Sequence, residues 1–142
     1  MADEHESVIP IESDADVVTA RQQARAMASE LELTSTDQTL LATAISEVAR
    51  NITTYAARGE VVLSVIHNSD QRRGIQVVAR DDGPGIENVE LALQDGYTSG
   101  GGLGLGLPGA RRLVHEFEIQ TALGQGTTVT MVMWERENAR AV

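Results

Sequence analysis

The sequence predicts an α+β fold, a two-layer α/β sandwich with about three helices on one face of a mixed, mostly antiparallel sheet. Helical spacing of apolar residues dominates the first half of the chain, and two strand hairpins follow, one before and one after a glycine-rich stretch. The 142 residues contain neither an internal repeat nor a linker. We therefore expect one domain over residues 8–134, with flexible segments at 1–7 and 135–142.

The first elements are an edge strand and a helix. A strand is predicted at 8–11, where Pro10 is tolerated because an edge strand need not donate a ladder hydrogen bond. The first helix is predicted to begin with a cap at Asp14 or Asp16 and to end near Leu31.

A second, longer helix is predicted from about Ser35 to Ala57. Its apolar residues recur every three to four positions, which is typical of a helix facing a core. They are Leu40, Leu41, Ala44, Ile45, Val48, Ile52 and Tyr55. The remaining elements are predicted as strands at 60–67 and 74–80, a weak helix at 87–94, a helix at 108–116, and strands at 117–123 and 127–134.

Composition excludes several classes of function. The net charge of −10, from 21 acidic and 11 basic residues, would repel a polyanion, so we expect no nucleic-acid partner. No apolar run approaches the ~20 residues of a membrane span. The acidic opening lacks the features of a signal peptide, which favours the cytoplasm.

The second helix carries two polar residues beside its apolar stripe. Glu47 and Asn51 lie one turn apart on the same side as Leu40 and Ala44. Burying a carboxylate without partners is costly, so the pair indicates a pocket holding water and a cation. The alternative is an ordinary pair at the solvent border of an amphipathic helix.

Two glycine-containing motifs follow. Asp81-x-Gly83-x-Gly85 comes directly after an apolar strand, where a carboxylate can accept a hydrogen bond from an adenine amine and glycines permit close backbone approach. A plain turn is the alternative. Glycines from Gly100 to Gly106 run into the third helix, where converging N–H groups can bind phosphate. The alternative there is a flexible linker.

A fourth motif, Gly126-Thr127-Thr128, opens the last strand. In this order the four motifs resemble the Bergerat, or histidine-kinase-like, ATP-binding fold shared by gyrase, histidine kinases and MutL, over about residues 36–134. Three segments further resemble the RsbT-type switch serine/threonine kinases of bacterial stress signalling. They are DVVTARQ at 16–22, TAISEVARNI at 43–52 and GGGLGLGLPG at 100–109.

The resemblance implies roles for individual residues. Glu47 would be the general base, Asn51 would coordinate the Mg ion that bridges the ATP phosphates, and Asp81 would accept from the adenine amine. Thr128 would complete the adenine pocket. Gly83 and Gly85 would shape that pocket, and the nucleotide lid would comprise Gly101, Gly102, Leu103, Gly104, Leu105 and Gly106. The roles of Arg50, Arg111 and Arg112 are left open between partner contact, phosphate ligand and surface charge.

The resemblance also implies partners. The substrates would be STAS-domain antagonist and scaffold proteins of the stressosome, and the released kinase would activate a PP2C-type phosphatase. An anti-sigma factor acting mainly as an ATP-dependent binding module is the chief alternative. An interaction protein with a vestigial ATP site and a detached histidine-kinase catalytic domain are two others. The sequence does not decide between a monomer and a homodimer.

Overall fold

The computed structural model describes residues 6–56, 58–86, 93 and 106–136. The expected weak helix at 87–94, apart from Leu93, lies outside these ranges, as do the lid residues Gly101 to Leu105.

Five strands form a single sheet in the order β1-β2-β3-β5-β4. Their bounds are β1 Ser7–Ile11, β2 Gly59–His67, β3 Arg73–Asp81, β4 Glu116–Thr121 and β5 Thr127–Trp134. Each neighbouring pair among these described strands is antiparallel, so the sheet is simpler than the mixed one expected. Strand β1 lies at an edge, as the sequence predicted, and it begins at Ser7, one residue before the expected domain start.

Within the described residues, three helices cover one face of this sheet, which confirms the predicted fold class. They are α1 Asp14–Ala28, α2 Ser35–Tyr55 and α3 Gly106–Leu113. Alternate residues of the strands face the helices and are buried, as the period of two requires. The buried set on the central strands is Val61, Leu63, Ile75, Val77, Ala79, Val129, Met131 and Met133, and α2 contributes Leu41, Ile45, Val48 and Ile52.

The second helix begins at Ser35 as predicted, whereas the cap of α1 and the start of α3 differ from those predicted. Ser13, rather than an aspartate, is the N-cap position of α1, and the Asp16 carboxylate instead accepts a 2.8 Å hydrogen bond from the backbone N–H of Glu12. Thr34 caps α2 by accepting from the N–H of Asp37 at 3.0 Å. The third helix begins at Gly106, two residues before the Pro108 that was expected to open it.

Glu135 was assigned to a flexible tail, but the structure places it inside the fold. Its side chain is 0% exposed, and its carboxylate accepts hydrogen bonds from the backbone N–H of Glu32 at 3.0 Å and of Arg73 at 3.1 Å. The Arg73 guanidinium completes a salt bridge at 3.3 Å. Because it joins the end of β5 to β3 and to the loop between α1 and α2, Glu135 belongs to the folded unit.

No helix within the described ranges is long and apolar enough to cross a membrane.

Candidate functional site

The middle of α2 presents Glu47 and Asn51 on one side of the helix. Spacing by four residues puts them one turn apart, and the Glu47 side chain is only 10% exposed. The Asn51 side chain is partly exposed, and its carboxamide makes no hydrogen bond to another residue of the described ranges. A shielded carboxylate therefore stands beside an amide that is available to a ligand.

The Glu47 carboxylate is held by a separate donor at each oxygen. Oε1 accepts a 2.9 Å hydrogen bond from the backbone N–H of Gly106, and Oε2 lies 3.3 Å from Nη1 of Arg50. Hydrogen bonds to an ionised group are the stronger kind and offset the cost of partial burial. The carboxylate is thus held in one orientation at the junction of α2 and α3.

This arrangement changes the expectation for Gly106. Its N–H was expected to bind an ATP phosphate, but in the structure it donates to Glu47. Gly106 is the first residue of α3, and α3 packs directly against α2. The N-terminus of the third helix therefore lies beside the predicted base. The other predicted phosphate-binding residues, from Gly101 to Leu105, lie outside the described residues.

Asp81 ends β3 close to the C-terminal part of α2. Its Oδ1 accepts a 2.8 Å hydrogen bond from the N–H of Gly83, which leaves Oδ2 outside that bond. A Cβ added to Gly83 would lie 2.7 Å from the Cβ of Ala56, just beyond α2. Gly83 therefore lets the turn after β3 pack against the C-terminal end of α2, the helix that carries Glu47. The hydrogen bond from Gly83 fixes the Asp81 side chain beside this end of the helix.

At position 85 glycine is required for a different reason than at position 83. Its φ of +81° is a left-handed conformation, and an added Cβ would collide with the carbonyl oxygen of Ala122. The same loop is tied to the β4–β5 connection by the bond from Gly124 N–H to the Pro84 carbonyl, at 2.8 Å. The glycines that were expected to admit a ligand thus also let the loop contact the protein's own backbone.

Of the two threonines that open β5, Thr127 rather than Thr128 lies on the Asp81 side of the sheet. Thr127 is directly opposite Asp81 in the strand register and is 6% exposed. Thr128 is opposite Arg80 and points to the other face because successive strand residues alternate. The register therefore places Thr127, whose Oγ1 lies 2.9 Å from Oγ1 of Thr121, on the same face as Asp81. The adenine-pocket role expected for Thr128 stays a prediction, and the register favours Thr127 for it.

The donor chemistry fits a magnesium ion that arrives with a nucleotide. Within the described ranges, no cluster of three His, Cys, Asp or Glu residues could hold a metal by itself. Mg²⁺ commonly keeps several waters and binds through one or two protein oxygens together with substrate phosphates. The Asn51 carboxamide, which has no hydrogen-bond partner among the described residues, could supply one such oxygen one turn after Glu47 on α2.

Two features of this site were not predicted from the sequence. The contact between Arg50 and Glu47 could have been found from their spacing, since residues three apart are neighbours on a helix. The choice of Thr127 over Thr128 depends on the register of β3 with β5, which is a long-range property that local sequence does not encode.

Comparison with known proteins identifies the family of this chain. Residues 11–133 match the family model described as a histidine kinase-like ATPase domain. Over 131 residues the chain is 39% identical to the serine/threonine-protein kinase RsbT of Bacillus subtilis (strain 168), covering 92% of this chain and 98% of that protein. It is also 32% identical over 117 residues to an anti-sigma F factor of Clostridium acetobutylicum, covering 79% of this chain and 80% of the other.

Solved structures support the fold. The sensor histidine kinase MprB from a mycobacterium aligns with a TM-score of 0.55 at 21% identity, covering 93% of this chain and 98% of that one. The RsbU and RsbW domains of Rv1364c from Mycobacterium tuberculosis align with a TM-score of 0.55 at 24% identity, covering 89% of this chain but 32% of the other.

An ATPase-family match over most of the chain implies that the protein binds ATP. The closer likeness to the Bacillus kinase extends over nearly the whole length of both proteins. The chain therefore belongs to the histidine kinase-like ATPase domain family and, within it, to the RsbT-type serine/threonine kinases.

Proposed function

We propose that this protein uses Mg-ATP to phosphorylate a serine or threonine of a STAS-domain antagonist or scaffold protein in bacterial stressosome signalling. In the same proposal it acts in the cytoplasm and, once released from its substrate, activates a PP2C-type phosphatase. The observation that carries the catalytic part is the shielded Glu47 carboxylate, held by two donors one turn before the uncommitted Asn51 amide. The likeness to a serine/threonine-protein kinase supports a serine or threonine as the acceptor.

In this proposal, residues at one end of the site carry out phosphate transfer and residues at the other end bind the adenine base. ATP bound with Mg²⁺ supplies the phosphoryl group and neutralises the charge that develops during its transfer. Asn51 offers its side-chain oxygen to the metal. Glu47 accepts the proton of the attacking hydroxyl through one carboxylate oxygen, which makes it the general base. Its low exposure limits competition from water for that proton.

The other end of the site recognises the base. Oδ1 of Asp81 is engaged by Gly83, so Oδ2 is the oxygen that can accept from an exocyclic amine. Thr127 lies opposite Asp81 on the same face of the sheet and offers a hydroxyl. Adenine has such an amine and guanine presents a carbonyl at that position, so this pairing favours ATP over GTP.

The test is a transfer assay with radiolabelled ATP, Mg²⁺ and purified STAS-domain proteins encoded in the same genome. We expect label on a STAS protein, in a product that survives acid because phosphoserine and phosphothreonine are acid-stable. The Glu47→Gln variant is the matched control for contaminating kinases. Acid-labile label would indicate a phosphohistidine, and no label on any STAS protein would contradict the proposed substrate class.

An anti-sigma factor is the second candidate, favoured by the 32% identity to a protein of that name. In that case the chain would form a stable, ATP-dependent complex with a sigma factor. Size-exclusion chromatography of the chain mixed with purified sigma factors, with and without Mg-ATP, separates the two candidates. Co-elution without transfer to a STAS protein would favour the anti-sigma factor.

A further inference from the structure

Arg50 is a charged residue on the partly exposed side of α2, where a side chain surrounded by solvent would be expected. Its side chain is 49% exposed on α2, yet its Nη1 lies 3.3 Å from Oε2 of Glu47. An ion pair between residues three positions apart on one helix contributes only about 0.2–0.5 kcal/mol to stability. The contact therefore adds little to the stability of the fold. Its main effect is on the orientation of the Glu47 carboxylate.

The second donor to Glu47 comes from a different direction. Gly106 N–H belongs to α3 and reaches Oε1 at 2.9 Å, whereas Arg50 belongs to α2 and reaches Oε2. With only the Gly106 bond, the carboxylate could turn about Oε1. With both, the plane of the carboxylate is fixed, and so are the directions of its remaining lone pairs. Two donors on separate helices thus define where a proton can be accepted.

We propose that Arg50 is a positioning residue for Glu47, holding Oε2 so that the carboxylate faces the hydroxyl of the protein substrate. The inference rests on the proposed function, in which Glu47 is the general base. In this proposal Arg50 acts through Glu47, whose Oε2 its guanidinium contacts, and the affinity for the nucleotide does not depend on it. A displacement of a reacting group by about 1 Å can cost about 10²-fold in rate.

The experiment measures phosphate transfer by Arg50→Gln to the STAS-domain acceptor that the native protein labels. We expect kcat to fall by about 10-fold or more, with the affinity for Mg-ATP, measured by calorimetry, unchanged. Arg50→Lys keeps a cationic donor three residues after Glu47 and is expected to restore most of the rate. Arg25→Gln removes an equal charge from the exposed surface of α1 and serves as the matched control, with no loss expected.

The double variant Glu47→Gln/Arg50→Gln separates positioning from a direct role. If Arg50 acts through Glu47, the double variant transfers phosphate as slowly as Glu47→Gln alone. A further loss in the double variant, a weakened Mg-ATP affinity with unchanged kcat, or full activity of Arg50→Gln would each overturn the proposal.

Failure of this inference is distinguishable from failure of the proposed function. If the native protein transfers no phosphate, or if Glu47→Gln transfers at the native rate, the proposed function fails and this inference falls with it. If Glu47→Gln is impaired while Arg50→Gln is not, only the positioning role is lost. Circular dichroism and the melting temperature of each variant confirm that the comparison is between folded proteins.

Discussion

The backbone N–H of Gly106 donates a 2.9 Å hydrogen bond to Oε1 of Glu47, and this bond joins the first residue of α3 to the middle of α2. Sequence separates the two residues by 59 positions. The fold thus brings the end of the glycine-rich stretch directly to the predicted base. A change in the position of the α3 N-terminus must alter the environment of the Glu47 carboxylate.

Loss of the carboxylate should slow phosphate transfer without preventing nucleotide binding. Glu47→Gln keeps the size of the side chain and can still accept the bond from Gly106, but it cannot take a proton. We expect the transfer rate to fall at least ~10²-fold and the ATP affinity to stay within about twofold, since a general base makes no required contact with the nucleotide. Transfer at the native rate would remove Glu47 from the mechanism.

Loss of the Asn51 amide should abolish turnover that depends on Mg²⁺. Asn51→Ala removes the side-chain oxygen offered to the metal, so calorimetry should show weakened binding of Mg-ATP with a smaller effect on ATP in EDTA. Thr54→Ala, at an exposed position on the same helix, is the matched control. Equal affinities of native protein and Asn51→Ala for Mg-ATP would show that the metal is held elsewhere.

Asp81→Asn should weaken adenine nucleotides selectively. The substitution replaces a charged acceptor with an amide while leaving an oxygen that can accept from Gly83. We expect a loss of about 1.5–3 kcal/mol in ATP binding, the range for a hydrogen bond to a charged group, and a smaller change in the binding of GTP. Asp82→Asn, at the exposed neighbouring position, should bind ATP normally. Unchanged ATP affinity in Asp81→Asn would contradict the adenine pocket.

The two threonines of β5 should differ in their effect on ATP binding. Thr127→Ala removes a hydroxyl from the face shared with Asp81, whereas Thr128→Ala alters the opposite face. We expect weaker ATP binding only in Thr127→Ala. Its melting temperature must be measured as well, because the hydroxyl also contacts Thr121 at 2.9 Å. Weaker ATP binding only in Thr128→Ala would contradict a pocket on the face that Thr127 shares with Asp81.

Glu135 should make the free energy of unfolding depend on pH. Burial by itself raises the pKa of Glu135, but the hydrogen bonds from the backbone of Glu32 and Arg73 and the Arg73 guanidinium outweigh it, so the pKa lies below its ordinary value of 4.5. A lowered folded-state pKa contributes stability that is present above 4.5 and is lost as pH falls through the folded-state value.

The variant that tests this is Glu135→Gln, followed by urea unfolding between pH 7 and pH 3. We expect a loss of about 3 kcal/mol at pH 7, as for a broken buried pair, and a shallower decline towards acid than in the native protein. The control is Glu60→Gln, which breaks the exposed pair with Arg80 and should cost less than about 1 kcal/mol. Parallel pH profiles of native protein and Glu135→Gln would contradict the assignment.

Local sequence signals predicted most of the fold. The apolar spacing in α2 and the apolar alternation in β2, β3 and β5 reflect which face of each element is buried, so they can be read from local sequence. Each described helix and strand lies within a few residues of its prediction. The cap of α1 was less accurate, because Ser13 directly precedes Asp14, which is an equally plausible cap. Glu135 was missed because its partners, Glu32 and Arg73, are far away in sequence.

The sequence named candidate residues for the site but not their contacts. Motif order pointed to Glu47, Asn51 and Asp81, whose roles stay predictions; the structure places Glu47 and Asn51 one turn apart on α2 and Asp81 at the end of β3. Neither the bond from Gly106 to Glu47 nor the orientation of Thr127 follows from motif spacing, because both depend on how separate elements pack.

The most direct test is a crystal structure of the protein with Mg²⁺ and a non-hydrolysable ATP analogue at millimolar concentration. We predict the triphosphate between α2 and the start of α3, with Mg²⁺ about 2.1 Å from the Asn51 side-chain oxygen and the adenine amine bonded to Asp81. A nucleotide bound elsewhere, or a metal held without Asn51, would contradict the proposed site.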